Sequence, residues 1–277
     1  MNYRHAYHAG NFADCMKHAL LVLLLQALRR KPAPFSVLDT HAGIGRYDLT
    51  GDQAGRTGEW RAGIGRLLDG ATTPDGPLES YLDLVRQAGA PDFYPGSPQI
   101  AAMMLRPQDR LVCCELHPDD SRTLRALFVG NPQVSVHARD GYAALGALLP
   151  PRDARRGLVL IDPPFEQPDE FQRLTAGIVT ARRRFATGIV AAWYPIKHRA
   201  PVRAFHDSLR DSGLRNIVVV ELTLRPPLDP SCLNGCGMLV AGPPFGFVEQ
   251  ALPAMRALTH LSPDGMGEAA ITRIVEE

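Results

Sequence analysis

The residues in this chain with the most chemistry per position are Asp162-Pro163-Pro164-Phe165, which close the apolar run 158–161. An exocyclic amine on an aromatic base is a poor nucleophile because its lone pair is delocalised into the ring. Asp162 and the Pro163 carbonyl can each accept one amine hydrogen, drawing the nitrogen toward tetrahedral geometry. Both prolines have fixed φ and Pro163 has no N–H, so the acceptors are held without a competing donor. Phe165 can stack on a base withdrawn from its helix. A second run, Pro243-Pro244-Phe245, also follows an apolar stretch, but Gly242 stands where the acid would be. It can stack or turn, cannot accept an amine proton, and reads as structural.

A second constellation precedes the first. Val37-Leu38-Asp39 runs into the turn Thr40-His41-Ala42-Gly43-Ile44-Gly45. Glycine lets the backbone approach a ligand closely. The dinucleotide fingerprint needs a third glycine three positions on, where Asp48 stands. An acid before the turn suits a positively charged group such as a sulfonium better than a pyrophosphate. Glu115 and Asp140-Gly141 end two further apolar runs. A carboxylate at the first can take ribose hydroxyls, and one at the second can accept from an adenine amine.

These residues need a scaffold that brings strand ends together. Strands are expected over 35–39, 111–115, 134–138, 158–161 and 189–193, with helices over 118–128, 142–149, 168–185 and 201–212 between and after them. Runs 217–224 and 237–241 read as strands paired at one edge. Such alternation predicts an α/β fold, a Rossmann-like, doubly wound, mostly parallel sheet. A βαβ unit needs about 30 residues, and the chain from Asp39 to Glu115 is more than twice as long. Helical patterns at 57–68 and 78–88 fill the excess. The expected organisation is therefore a main domain of residues 1–46 and 95–277, interrupted by a small helical subdomain at 47–94. Upstream, Asp14 is expected to cap a helix running to about Arg30.

Composition narrows the function. Of 277 residues, 45% are hydrophobic and 21% charged, which excludes disorder and collagen-like repeats. Lys+Arg 30 against Asp+Glu 29 means that any polyanion must be held by a local patch. Arg29-Arg30-Lys31, Arg152 with Arg155-Arg156, Arg182-Arg183-Arg184 and Lys197-His198-Arg199 with Arg203 are the clusters. Lys197 to Arg203 follow a strand at the end that carries Asp162, beside Trp193 and Tyr194, and are expected on the rim of the site. Arg152 to Arg156 enter their strand at the opposite end. The cysteines are odd in number with two adjacent, poor material for disulfides, and Cys232 and Cys236 lack companion ligands for zinc. The run 19–25 follows Lys17 and His18 and precedes Arg29, so it reads as a buried helix and not a secretion signal or membrane span. A cytoplasmic protein with reduced thiols is expected.

With these residues assembled, the chain resembles the RlmJ family of bacterial large-subunit ribosomal RNA adenine-N6 methyltransferases, over nearly its whole length. The resemblance rests on Tyr3-Arg4-His5 with His8-Ala9-Gly10-Asn11, Asp14 with Lys17-His18, Leu38-Asp39-Thr40-His41-Ala42-Gly43 and Arg56-Thr57-Gly58-Glu59. It continues through Tyr94-Pro95-Gly96-Ser97-Pro98, Glu115-Leu116-His117-Pro118, Asp140-Gly141, Asp162-Pro163-Pro164 and Trp193-Tyr194-Pro195. The tetrad itself is common to many amino-methyltransferases.

The resemblance implies S-adenosylmethionine as cofactor and 23S ribosomal RNA as substrate, with contacts to the cofactor from His18, His41, Ser97, Glu115, Asp140, Gly141 and Asp162. Asp162 would also be catalytic; Tyr3 would touch the RNA or cover the target base, and Phe165, where the family often has Tyr, would stack on it. No metal, membrane or obligatory protein partner is expected, and a monomer suffices. His5, His8, His18 and His41 lack metal-ligand spacing, which favours cofactor contacts. Two alternatives stay open: an amino-methyltransferase acting on DNA adenine or cytosine or on protein glutamine, and a non-catalytic RNA-binding module.

Overall fold

The computed structural model describes residues 4–70 and 76–277; Tyr3, expected to touch RNA, lies outside them. The strands are β1 (Ser36–Asp39), β2 (Arg46–Asp48), β3 (Phe93–Pro95), β4 (Arg110–Cys114), β5 (Val134–His137), β6 (Gly157–Ile161), β7 (Ile189–Ile196), β8 (Ile217–Thr223), β9 (Gly235–Ala241) and β10 (Glu268–Val275). The helices are α1 (Phe12–Arg29), α2 (Asp52–Thr57), α3 (Arg66–Leu68), α4 (Glu79–Gln87), α5 (Ser97–Met103), α6 (Pro118–Leu127), α7 (Gly141–Leu148), α8 (Glu170–Arg184), α9 (Arg199–Arg210) and α10 (Phe247–Leu258).

Eight strands form one sheet in the order β10-β8-β9-β7-β6-β1-β4-β5. The run from β5 through β4, β1 and β6 to β7 is parallel, and β9 and β10 run against their neighbours. This is the expected doubly wound α/β architecture. β1 pairs with β4 on one side and β6 on the other, so the chain reverses its lateral direction there. Such a switch point opens a crevice at the carboxyl ends of the strands.

Helices cover both faces, which is why the strands read as continuous apolar runs. Along β6 the period-2 alternation sends Leu158 and Leu160 to one core and Val159 and Ile161 to the other. The first core holds α1, buried along most of its length, with α5 and α10; the second holds α7, α8 and α9. No helix among the described residues is long and apolar enough to cross a membrane.

Several expectations are corrected. Asn11, not Asp14, caps α1: its side chain accepts from the Ala13 and Asp14 amides. Asp14 is instead buried inside the helix. The pair 217–224 and 237–241 does not form the sheet edge, because β10 adds outside β8. β10 escapes a hydrophobicity reading because an edge strand with Glu268, Thr272 and Arg273 has no continuous apolar run. The helix expected over 57–68 is broken in two. Gly58, at φ 63°, ends α2, and Gly63 lies so close to α1 that a Cβ there would stand 2.2 Å from the Gly10 carbonyl. The segment between β1 and β4 starts and ends on a two-stranded ribbon, β2 with β3. Its Ile64, Tyr81, Leu82 and Val85 share one core with α1 and the sheet.

Candidate active site

The carboxyl ends of the strands, the turn after β1 and the start of α1 enclose a cavity of about 840 Å³, the range of small-molecule and cofactor sites. Of the residues singled out from the sequence, His18, His41, Ser97, Glu115, Asp140, Gly141, Asp162 and Phe165 all line it. They come from eight different positions on α1, four strand ends and α5, brought together by the topology alone.

Asp162 follows Ile161 directly, and its side chain is 15% exposed. Lys17 Nζ donates to its Oδ2 at 2.6 Å. The other oxygen, Oδ1, has no hydrogen-bond partner among the described residues. Lys17 also pairs with Asp14 Oδ1 at 2.8 Å, and Asp14 Oδ2 meets His5 Nε2 and the Gly10 amide, each at 2.9 Å. Burial works against charge on both partners. For Asp14 it is overcome by His5 and Lys17, which hold the carboxyl well below its ordinary range. For Lys17 it is overcome by Asp14 and Asp162, which hold the ammonium well above its ordinary value. The site therefore carries a fixed cation 2.6 Å from the candidate acceptor.

Phe165 takes a left-handed backbone at φ 51°, a conformation that costs a bulky residue about 1–3 kcal/mol and persists only where the surroundings impose it. Here Phe171 and Trp193 hold the ring edge-on at centroid distances of 5.0 and 5.9 Å.

On the other side of the cavity, Glu115 accepts from the Gly43 amide at 2.9 Å and the His117 amide at 2.7 Å. Burial raises its pKa. Asp140 caps α7 by accepting from the Ala143 amide at 2.8 Å, with Arg173 3.8 Å away. A Cβ on Gly141 would stand 2.2 Å from the Thr40 carbonyl, so only glycine lets α7 start this close to the β1 turn.

Two histidines stay neutral. Burial pulls His18 down to about 3 and His41 to about 4. His18 Nδ1 meets the Tyr94 hydroxyl at 2.7 Å, and that hydroxyl meets Tyr81 at 2.9 Å. The other ring nitrogen, Nε2, is buried with no partner. An orphaned polar atom on a cavity wall costs about 1–3 kcal/mol unless a ligand satisfies it. Together with Glu115 and the close backbone at Gly43 and Gly141, it fits a polar nucleoside-bearing cofactor.

Ser97 and Asp39 differ from the expected arrangement. Ser97 Oγ donates to Asp39 Oδ2 at 2.6 Å. Asp39 is 1% exposed and lies beneath the cavity floor, with burial pushing its carboxyl up to about 7. Of the three strand-end acids, Glu115 and Asp140 reach the cavity and Asp39 supports it from below.

These shifts predict how stability depends on pH. Between about pH 4 and 6.5 the unfolded chain binds protons at His18 and His41 that the folded chain refuses, so stability falls on acidification. Asp39 works the other way, its folded form holding a proton up to about 7. Replacing His41 with Asn is expected to remove about one proton from the uptake on unfolding near pH 5, or about 1.4 kcal/mol per pH unit. Urea denaturation of both proteins at pH 5 and 6 measures it; an unchanged slope contradicts a neutral buried His41.

On the rim, Lys197 lines the cavity as expected. Arg199 does not join it freely, since its guanidinium pairs with Glu221 at 2.6 Å, and Glu221 also accepts from the Tyr194 hydroxyl. Sequence reasoning gives Lys17 no site role and Asp14 only a helix-capping one. The signal for Lys17 was a lysine inside an otherwise apolar helix.

The model of the family described as ribosomal RNA large subunit methyltransferase D, RlmJ, matches residues 32–274. Ribosomal RNA large subunit methyltransferase J of Escherichia coli (strain K12) is 41% identical over 283 residues, covering the whole of both chains. The enzyme of the same name from Haemophilus influenzae is 39% identical, again over the full length of both. A crystal structure of a protein from Legionella pneumophila superposes with a TM-score of 0.88 at 36% identity, covering 96% of this chain and 98% of that one.

Proposed function

The chain belongs to the RlmJ family of large-subunit ribosomal RNA methyltransferases, and on that premise we propose that it transfers a methyl group from S-adenosylmethionine to N6 of an adenine in 23S ribosomal RNA, with Asp162 as the catalytic acceptor. The observation that carries the assignment is the asymmetric Asp162 carboxylate, one oxygen fixed by Lys17 and the other left without a partner in a cavity large enough for a cofactor.

His18, His41, Ser97, Glu115, Asp140, Gly141 and Asp162 would hold the cofactor. Glu115 would take its ribose hydroxyls, and Asp140 would accept from its adenine amine. When bound, the cofactor supplies an electrophilic methyl group on a sulfonium centre. The rest is done by the protein. Asp162 Oδ1 and the Pro163 carbonyl accept the two hydrogens of the target amine and aim its lone pair. Lys17 donates to Oδ2 and fixes the rotamer of the carboxylate. Phe165 stacks on the extruded base, and Tyr3 would touch the RNA or cover that base. Positioning and preorganised acceptors supply the rate enhancement. We take the enzyme to act as a monomer without an obligatory protein partner. A ribosomal RNA substrate supports a cytoplasmic location. Residues 47–94 would act as an inserted helical subdomain that braces α1 behind the site.

Incubating the protein with labelled S-adenosylmethionine and either protein-free 23S ribosomal RNA or adenine-containing duplex DNA tests the assignment. Label is expected in the RNA alone. Label in DNA favours the wider amino-methyltransferase reading, and no cofactor binding by calorimetry favours a non-catalytic RNA-binding module. On the rim, replacing Lys197 with Ala is expected to lower the slope of log affinity against log salt by about one, the contribution of one phosphate contact. Replacing Arg199 is expected to change it less, because Glu221 already holds that charge. Equal slopes for all three proteins would remove Lys197 from the RNA contacts.

A further inference from the structure

The Pro243-Pro244-Phe245 run has no part in the reaction, yet its aromatic ring is the most exposed large hydrophobic group recorded, at 97%. β9 runs against β7, and its last residue, Ala241, pairs with Val190 near the start of β7. The loop after β9 therefore projects at the amino ends of the parallel strands, opposite the active site. Arg30 reaches it, donating to the Phe245 carbonyl at 3.3 Å. Arg182 borders its other end: a Cβ on Gly242 would stand 3.0 Å from the guanidinium. The loop that bears the exposed phenyl ring thus runs between two arginines.

The same end of the sheet gathers further positive charge. Arg29, Arg30 and Lys31 close α1, and Arg182, Arg183 and Arg184 close α8. A groove beside them runs between the loop before β6 and the end of α8, lined by Arg152, Arg155, Arg156 and Arg184. Arg156 is used for structure, donating to the Leu28 and Ala33 carbonyls, and so are Arg182 and Arg184, which donate to the Gly188 and Gly146 carbonyls. Among the described residues Arg29, Arg30, Lys31, Arg152 and Arg155 make no ion pair, nor do the three arginines of α8. Carboxylates at this end of the sheet include Asp153 on the groove, Glu249 in the first turn of α10, Glu276 after β10, and Asp109, which is buried and taken by Arg106. Cations in a last helical turn offset the macrodipole, which accounts for part of this cluster. It accounts for neither Arg152 and Arg155, which belong to no helix, nor the naked ring of Phe245.

We propose that this face is a second RNA-binding surface, in which Phe245 stacks on an unpaired base and the flanking arginines take the phosphates on either side. Stacking on an aromatic ring and phosphate contact by guanidinium groups are the two elements of single-strand recognition. In a chain of net charge +1, such a local excess is what a polyanion would find. β6 is five residues long, so this face and Asp162 lie roughly 20 Å apart. A folded, multi-helix RNA can reach both, whereas a short hairpin holding only the target cannot. The inference rests on the reading that the substrate is ribosomal RNA.

The test uses the full chain with two RNAs, a multi-helix fragment of 23S ribosomal RNA and a hairpin containing only the target. Phe245→Ala is expected to weaken binding to the fragment about tenfold and to leave hairpin binding and the rate of methyl transfer to the hairpin unchanged, with Phe245→Trp restoring affinity. The double replacement Arg152→Ala, Arg155→Ala is expected to lower the salt slope on the fragment by between one and two. All of these side chains are exposed, so thermal melting is expected to stay at the wild-type value. Unchanged affinity and slope on the fragment would overturn the proposal. So would a loss seen only with an assembling particle and not with naked RNA, which would assign the face to a ribosomal protein. If the wild-type protein methylates neither RNA, the reading of the active site fails instead.

Discussion

Replacing Asp162 with Ala is expected to slow methyl transfer at least a thousandfold while leaving the fold intact. A thousandfold loss corresponds to about 4 kcal/mol at the transition state, the scale of removing a preorganised group from a site of developing charge. Two features make the variant clean. Asp162 stands after the last residue of β6 and contributes nothing to the sheet ladder. Its loss also leaves Lys17 paired with Asp14 at 2.8 Å, so no buried charge is orphaned. Single-turnover transfer from labelled cofactor, with cofactor affinity measured separately, separates chemistry from binding. Turnover within tenfold of wild type would remove Asp162 from the mechanism.

The second large effect is expected from Lys17→Met, and it differs in kind. Lys17 lies between two carboxylates, and its side chain is 6% exposed. Removing the cation leaves Asp14 buried with only His5 and the Gly10 amide beside it. Breaking one side of a buried ion pair costs about 3–5 kcal/mol, or roughly a 6–20 °C fall in melting temperature for a domain of this size. Activity is expected to fall at least a hundredfold as well, because the Asp162 carboxylate loses the contact that fixes its rotamer. Lys17→Met combined with Asp14→Asn distinguishes the two effects. Neutralising Asp14 is expected to restore most of the stability and little of the activity. Recovery of both would make Lys17 a purely structural residue, and recovery of neither would mean that the pair does not carry the loss.

These effects also explain what could be read from the chain. Asp162, Glu115 and Asp140-Gly141 were legible because each directly follows an apolar run, and the ends of parallel strands are where a doubly wound sheet assembles its site. Phe165 was legible by its place in the tetrad, though its strained backbone was not. Lys17 has no assignable role in the sequence, since its partner lies 145 positions away and nothing local says that α1 packs its second turn against the tip of β6. Asp39 was read as a cavity acid because burial by Ser97 and the β1 turn is a tertiary effect. Arg199 was read as a free cation because Glu221, which neutralises it, arrives on β8. β10 was missed because an edge strand mixes charge with apolar residues, and so resembles a loop until β8 pairs with it.

The central claim is that the carboxylate at the tip of β6 directs a methyl group onto an adenine amine of ribosomal RNA. Nucleoside mass spectrometry of 23S ribosomal RNA from cells lacking this protein, complemented with wild type or with Asp162→Ala, tests it most directly. One N6-methyladenosine is expected to be absent without the protein, restored by the wild type and not restored by the variant. Restoration by the variant, or a methyl group on any other atom, would contradict it.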